Sequence, residues 1–112
     1  MVPGRGEVWF AELEPVRGDE QGGRRPVLII SSDSYNRGPA ELVLVAPITS
    51  TQRGVLYHVP IAPPEGGLAH PSDILCDAIR SISRERIGRR LGSISAQTMA
   101  AVEHRLRILQ GL

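Results

Sequence analysis

Residues 19–30 read DEQGGRRPVLII, and residues 49–53 read TSTQR. The first stretch sets Arg24 and Arg25 after a double glycine, with Asp19 and Glu20 just upstream. Gly22 and Gly23 permit positive φ and close backbone approach, so amide groups there can line an anion. Pro26 biases Arg25 toward extended backbone and so fixes its direction at the start of a strand. If the strand beginning at Pro26 pairs antiparallel with the one ending before Thr49, Arg25 and Thr49 face a common spot. A guanidinium fork beside a hydroxyl suits a phosphate whose charge grows during reaction. The competing account is a solvated Arg–Arg turn balanced by Asp19 and Glu20, with Thr49 serving strand propensity.

Other chemistries find less support. His58, His70 and His104 stand apart, and no pair of His, Cys, Asp or Glu has zinc-site spacing. They read as solvated or locally bonded histidines, and Cys76 as an inert core thiol. GxGxxG and P-loop patterns are absent, so no cofactor is expected. All thirteen basic residues are arginine, yet net charge is only +1. Placement of the arginines, more than their number, carries the argument.

The elements that must hold these groups are short. GEVWFAEL alternates Val8, Phe10 and Leu13 against Glu7, Trp9 and Glu12, as a strand with one buried face does. The stretch from Glu14 to Arg25 is a long loop, PVLIIS a strand covered on both faces, and SDSYNRGPA a turn-rich connection. ELVLVAPITS makes a buried strand ending near Pro47, and VLYHVPI another. APPEGGLAHP is a flexible loop, and SDILCDAIRSIS forms two short strands or one bent strand. Ser95 is the N-cap of a terminal helix whose apolar stripe is Met99, Val102, Leu106 and Leu109, and Gly111 stops it. The 112 residues suit one domain: five or six strands in a small curved antiparallel sheet or SH3-like barrel, with a C-terminal helix. One cysteine, no apolar run of membrane-spanning length and no signal-peptide core in MVPGRGEVWF suit a soluble cytoplasmic protein.

RGEVWFAEL, GDEQGGRRPVLIIS, YN at 35–36, VAPITS, HVPI and DAIRSISRERIG together resemble the MazF/PemK toxins of bacterial toxin–antitoxin pairs. The resemblance covers nearly the whole chain. It implies a homodimer of the curved-sheet toxin fold, neutralised by a cognate antitoxin whose acidic tail lies across the substrate groove. It also implies metal-independent cleavage of single-stranded RNA, leaving a 2′,3′-cyclic phosphate and a 5′-hydroxyl. The family's essential arginine falls on Arg25, its threonine on Thr49 and its loop acid on Glu20, either as base or as orienter of Arg25. Gln21, Gly22, Gly23, Arg24, Ser50, Gln52, Arg53 and Asp77 are the remaining substrate-binding candidates. Members commonly carry Gln where this chain has Ala78, beside Asp77, so the recognised RNA sequence stays open. Two readings of other classes stand beside this one: a non-catalytic RNA- or protein-binding module, and a topoisomerase-poisoning toxin of related fold.

Overall fold

The computed structural model describes residues 2–13 and 24–112. Seven strands run β1 (Glu7–Glu12), β2 (Arg24–Ile29), β3 (Leu42–Thr49), β4 (His58–Ile61), β5 (Ser72–Leu75), β6 (Arg80–Ser83) and β7 (Ile87–Ser93). A one-turn helix, α1 (Asp33–Asn36), joins β2 to β3, and α2 (Ala96–Gln110) ends the chain. The pairings among the described residues are antiparallel, in the order β4-β5-β3-β2-β1-β7, with β6 paired to the first half of β3 and β5 to its end. The fold is mainly β, an antiparallel sheet with a C-terminal helix, as expected, and among the described residues the sheet is not closed into a barrel.

PVLII is buried on both faces: Leu28 and Ile30 enter the core under α2, while Val27 and Ile29 enter a second cluster with Trp9, Val43, Val45 and Ile82. β1 does the same with Val8 and Trp9, so the expected one-faced alternation is corrected: Trp9 is buried and Phe10 is half-exposed. A strand with two covered faces has no polar side to alternate against. β3 continues through Pro47 to Thr49, because Pro47 sits opposite Val27 and Ile48–Thr49 pair onward with β5. SDILCDAIRSIS is two strands broken by the turn Cys76–Ala78. β7 was not anticipated: IGRRLGS is half-buried at best and shows no apolar period.

Helix α2 starts and stops as its caps dictate. Ser95 Oγ accepts the Thr98 amide at 3.1 Å, and Gly111 takes φ +72°. Val102 is fully buried, with Met99 and Leu106 packed beside it. Leu109 is 39% exposed, which corrects the fourth member of the stripe: the helix end runs past the core. Asn36 of the YN pair is fully buried, and its amide donates to the carbonyls of Pro3 and Ser31 at 3.1 and 3.2 Å. That satisfied amide pins α1 to the chain start.

Two carboxylates lock the β7 edge. Glu7 is partly desolvated, which raises its pKa, but bonds from the Gly4 amide, Trp9 Nε1 and the Arg90 guanidinium outweigh this and lower it. Glu65 behaves alike: burial raises it, and bonds from the Ser95 amide and the Thr98 and Ser95 side chains lower it further. A lowered folded-state pKa contributes stability above the unfolded value of 4.5 that is lost as pH falls through the folded one. The double variant Glu7→Gln, Glu65→Gln is therefore expected to show a flatter decline of Tm below pH 4.5 than the parent. Parallel decline of the two Tm curves would contradict it.

Candidate active site

The site begins with the β2–β3 register. Val27 faces Pro47 and Leu28 faces Ala46, which leaves Arg25 two residues before the first paired position of β2 and Thr49 two residues after its partner on β3, at the same end of the ladder. On its other side Arg25 faces Ala11, whose small side chain crowds neither neighbour. Both Arg25 and Thr49 line one cavity of about 860 Å³. Ser50, Thr51 and Arg53 extend its wall beyond Thr49, and Pro26 and Ile48 give it an apolar patch. Phe10 from β1, Arg89 and Leu91 from β7, and the segment Gly67–His70 also line it.

Charge is one-sided here. Arg25, Arg53 and Arg89 line the cavity, and among the described lining residues there is no carboxylate. Such a concave surface concentrates anions. Thr49 Oγ1 accepts the Thr51 amide at 3.2 Å. With one lone pair so engaged, the hydroxyl proton is directed to another acceptor.

The segment after Thr49 is tied down by a buried carboxylate that sequence reasoning missed. Asp73 is 3% exposed and pairs with Thr49 across β3–β5. It accepts Gln52 Nε2 at 3.3 Å and the Arg53 amide at 3.4 Å, while Gln52 Nε2 also reaches the Ser72 carbonyl at 3.1 Å. Gln52 thus anchors its own segment and is not among the residues lining the cavity. Asp77 also lies off it, on the Cys76–Ala78 turn, where it takes a 3.1 Å bond from His58 Nε2. His58 does line the cavity, with Nδ1 buried and 3.7 Å from Asp73 Oδ2.

Of the remaining candidates, Ser50 and Arg53 sit with Arg25 and Thr49, whereas Arg24 is not among the lining residues; its guanidinium lies 6.0 Å from the Phe10 ring centre. Glu20, Gln21, Gly22 and Gly23 lie outside the described residues. Cys76 is 1% exposed; burial pushes its thiol up to about 11 against the opposing pull of Arg105, and Asp77 adds to the rise. An unreactive core thiol fits that environment. Among the described residues no three of His, Cys, Asp or Glu are grouped to hold a metal ion.

Phe10 and Arg89 also escaped the sequence reading. Alternation places Phe10 on the core face, and Arg89 lies in a strand without an apolar period. No local signal marks either residue; the β1–β7 pairing brings them to the cavity.

A cation-lined, hydroxyl-bearing cleft at the end of a small antiparallel sheet defines a class: a β protein shaped to receive a polyanionic chain. The chain belongs to the PemK-like, MazF-like toxin family of type II toxin–antitoxin systems, whose sequence profile matches residues 4–110. It is 37% identical over 109 residues to the endoribonuclease EndoA of Bacillus subtilis, spanning 96% of this chain and 94% of that protein. The fold is similar to crystalline MazF of Deinococcus radiodurans, with TM-score 0.84, 33% identity and coverage of 100% and 99%. It is also similar to a mycobacterial endoribonuclease solved with its cognate antitoxin, with TM-score 0.81, 27% identity and coverage of 98% and 96%. No helix here is long and apolar enough to cross a membrane among the described residues.

Proposed function

We propose that this chain, an endoribonuclease toxin by family, cuts single-stranded RNA at the Arg25–Thr49 end of the cavity. The observation that carries the assignment is the sharing by Arg25 and Thr49 of one cleft whose described lining residues include no carboxylate. In the reaction the ribose 2′-oxygen attacks the adjacent phosphorus, the bond to the 5′-oxygen breaks, and a 2′,3′-cyclic phosphate and a 5′-hydroxyl result. One proton leaves the 2′-hydroxyl and one reaches the departing 5′-oxygen. Charge accumulates on the non-bridging oxygens, where a guanidinium and a hydroxyl are effective donors.

Arg25 clamps those oxygens and gives a proton to the leaving oxygen, to be restored from water; a guanidinium is a poor base at neutral pH and does not take the 2′-hydroxyl proton. Thr49 donates to the same phosphate. Glu20 is assigned to the 2′-hydroxyl side, as base or as orienter of Arg25. Ser50 and Arg53 hold the strand beyond the cut, and Gln21, Gly22, Gly23 and Arg24 contact it from the loop side. Phosphate contacts position a strand without reading it, so base selection falls to donors and acceptors around the cleft. This chemistry calls on no metal ion. The molecule works in the cytoplasm as one domain, as a homodimer, and a cognate antitoxin silences it by laying an acidic segment along the cationic cleft. Its likeness to toxins solved with antitoxins supports that partner.

The test is incubation of chelator-treated protein with a mixed RNA pool, followed by sequencing and end analysis. New 5′-hydroxyl and 2′,3′-cyclic phosphate ends at a recurrent motif are expected. Binding without new ends would favour the non-catalytic module. Trapped topoisomerase–DNA breaks with intact RNA would favour the topoisomerase-poisoning class. Either result would overturn the assignment.

A further inference from the structure

We infer that Phe10 and Arg89 form a stacking subsite for the base of a nucleotide flanking the scissile phosphate, an inference that rests on the ribonuclease reading above.

The geometry comes from a bulge. Trp9 pairs with Arg90 and Ala11 with Ile87, and the register shifts between them, so Gly88 and Arg89 both stand opposite Phe10. Bulges of this kind re-aim a side chain. Arg90 turns to Glu7, 3.2 Å away, whereas Arg89 lies over the Phe10 ring, 5.3 Å from its centre, and lines the cavity. Gly88 leaves room for this arrangement: a Cβ there would stand 3.3 Å from Arg24 Nη2 and 3.4 Å from the Phe10 carbonyl. A partly exposed phenyl ring thus has guanidinium groups from two strands near it, and the ring and Arg89 line the cleft that holds Arg25 and Thr49.

A guanidinium plane resting on an aromatic face is pre-organised, and its outer face is open to a second planar group. Unpaired RNA bases are planar and stack on arginine as they do on aromatic rings. Arg89 and Arg25 are separated by β1, two interstrand steps or roughly 10 Å, which suits a flanking nucleotide better than the one being cut. Of the chain's four aromatic residues, Trp9, Phe10, Tyr35 and Tyr57, Phe10 is the one lining the cleft.

Arg89→Ala is expected to raise KM by about tenfold with kcat little changed, the signature of lost binding that is equal in ground and transition states. Arg89→Lys keeps the charge without the plane and is expected to show most of the same loss. The direct readout is a short single-stranded RNA whose cleavage site is blocked by a 2′-deoxy substitution and whose neighbouring base is 2-aminopurine. Its fluorescence should be quenched by the parent and not by Arg89→Ala, with probes placed on each side of the site. Equal quenching and equal KM for parent and Arg89→Ala would overturn the subsite, as would full rescue by lysine. Failure of the parent itself to cut or bind RNA would instead remove the ribonuclease reading.

Discussion

Arg25→Ala is expected to lower the rate of RNA cleavage by about 10³, and Thr49→Ala by about 10², with the folded structure intact. Removing one donor from a pre-organised anion site costs on the order of 10²–10³ in rate, and a charged fork lies at the upper end of that range. The loss should fall on kcat, because the interaction strengthens as charge builds on the phosphate. Arg25→Lys is expected to recover only part of the rate, since an ammonium supplies charge without the bidentate fork. The double variant should be little slower than Arg25→Ala alone, as both groups serve one phosphate. Single-turnover assays with saturating protein, alongside thermal melts, separate chemistry from folding. Cleavage by either single variant at the parent's rate would reject the assignment of that residue.

Gly92→Ala is the second large effect, and it acts on the fold. Gly92 pairs with Val8 across β1–β7. A Cβ built on Gly92 would stand 2.8 Å from the Gly66 carbonyl carbon and from the Gly67 amide nitrogen, which are backbone atoms with no rotamer to escape into. The turn Glu65–Gly67 must therefore move away from β7, breaking the edge that Glu65 secures to α2 through Ser95. Overpacking against backbone costs about 3 kcal/mol, which for a chain of this size lowers Tm by on the order of 10 °C or more. The turn leads into Leu68–His70 of the cavity wall, so RNA cleavage should weaken as well. Gly54→Ala is the control: φ is +65° there, but nothing lies within 4 Å, and only the left-handed backbone penalty of about 1 kcal/mol is expected. Equal melts for the parent and Gly92→Ala would show that the close approach is absent.

The sequence was legible wherever one local property decided the outcome. Ser95 and Gly111 bound α2 because capping needs only a side-chain oxygen at one end and freedom to take positive φ at the other. PVLII is a buried strand because a β-branched apolar run has no other stable place. Arg25 and Thr49 could be named from their positions at a strand start and a strand end, given antiparallel pairing. By contrast, α1 is four residues long, too short to show a helical period, and β7 is an edge strand with few apolar residues.

Pairing between distant segments decided the rest. Whether Trp9 or Phe10 was buried depended on which faces of β1 were covered, and alternation within β1 carries no information about that. Asp73 became the anchor of residues 52–53 only because β5 runs beside the end of β3. Arg89 reached the cleft through a bulge whose extra residue is defined by the opposing strand. Local stretches of sequence set the backbone preferences and supplied the chemical groups. The meeting of Arg25, Thr49, Phe10 and Arg89 in one cavity arose from strand register, a relation between segments up to some eighty residues apart that no single stretch contains.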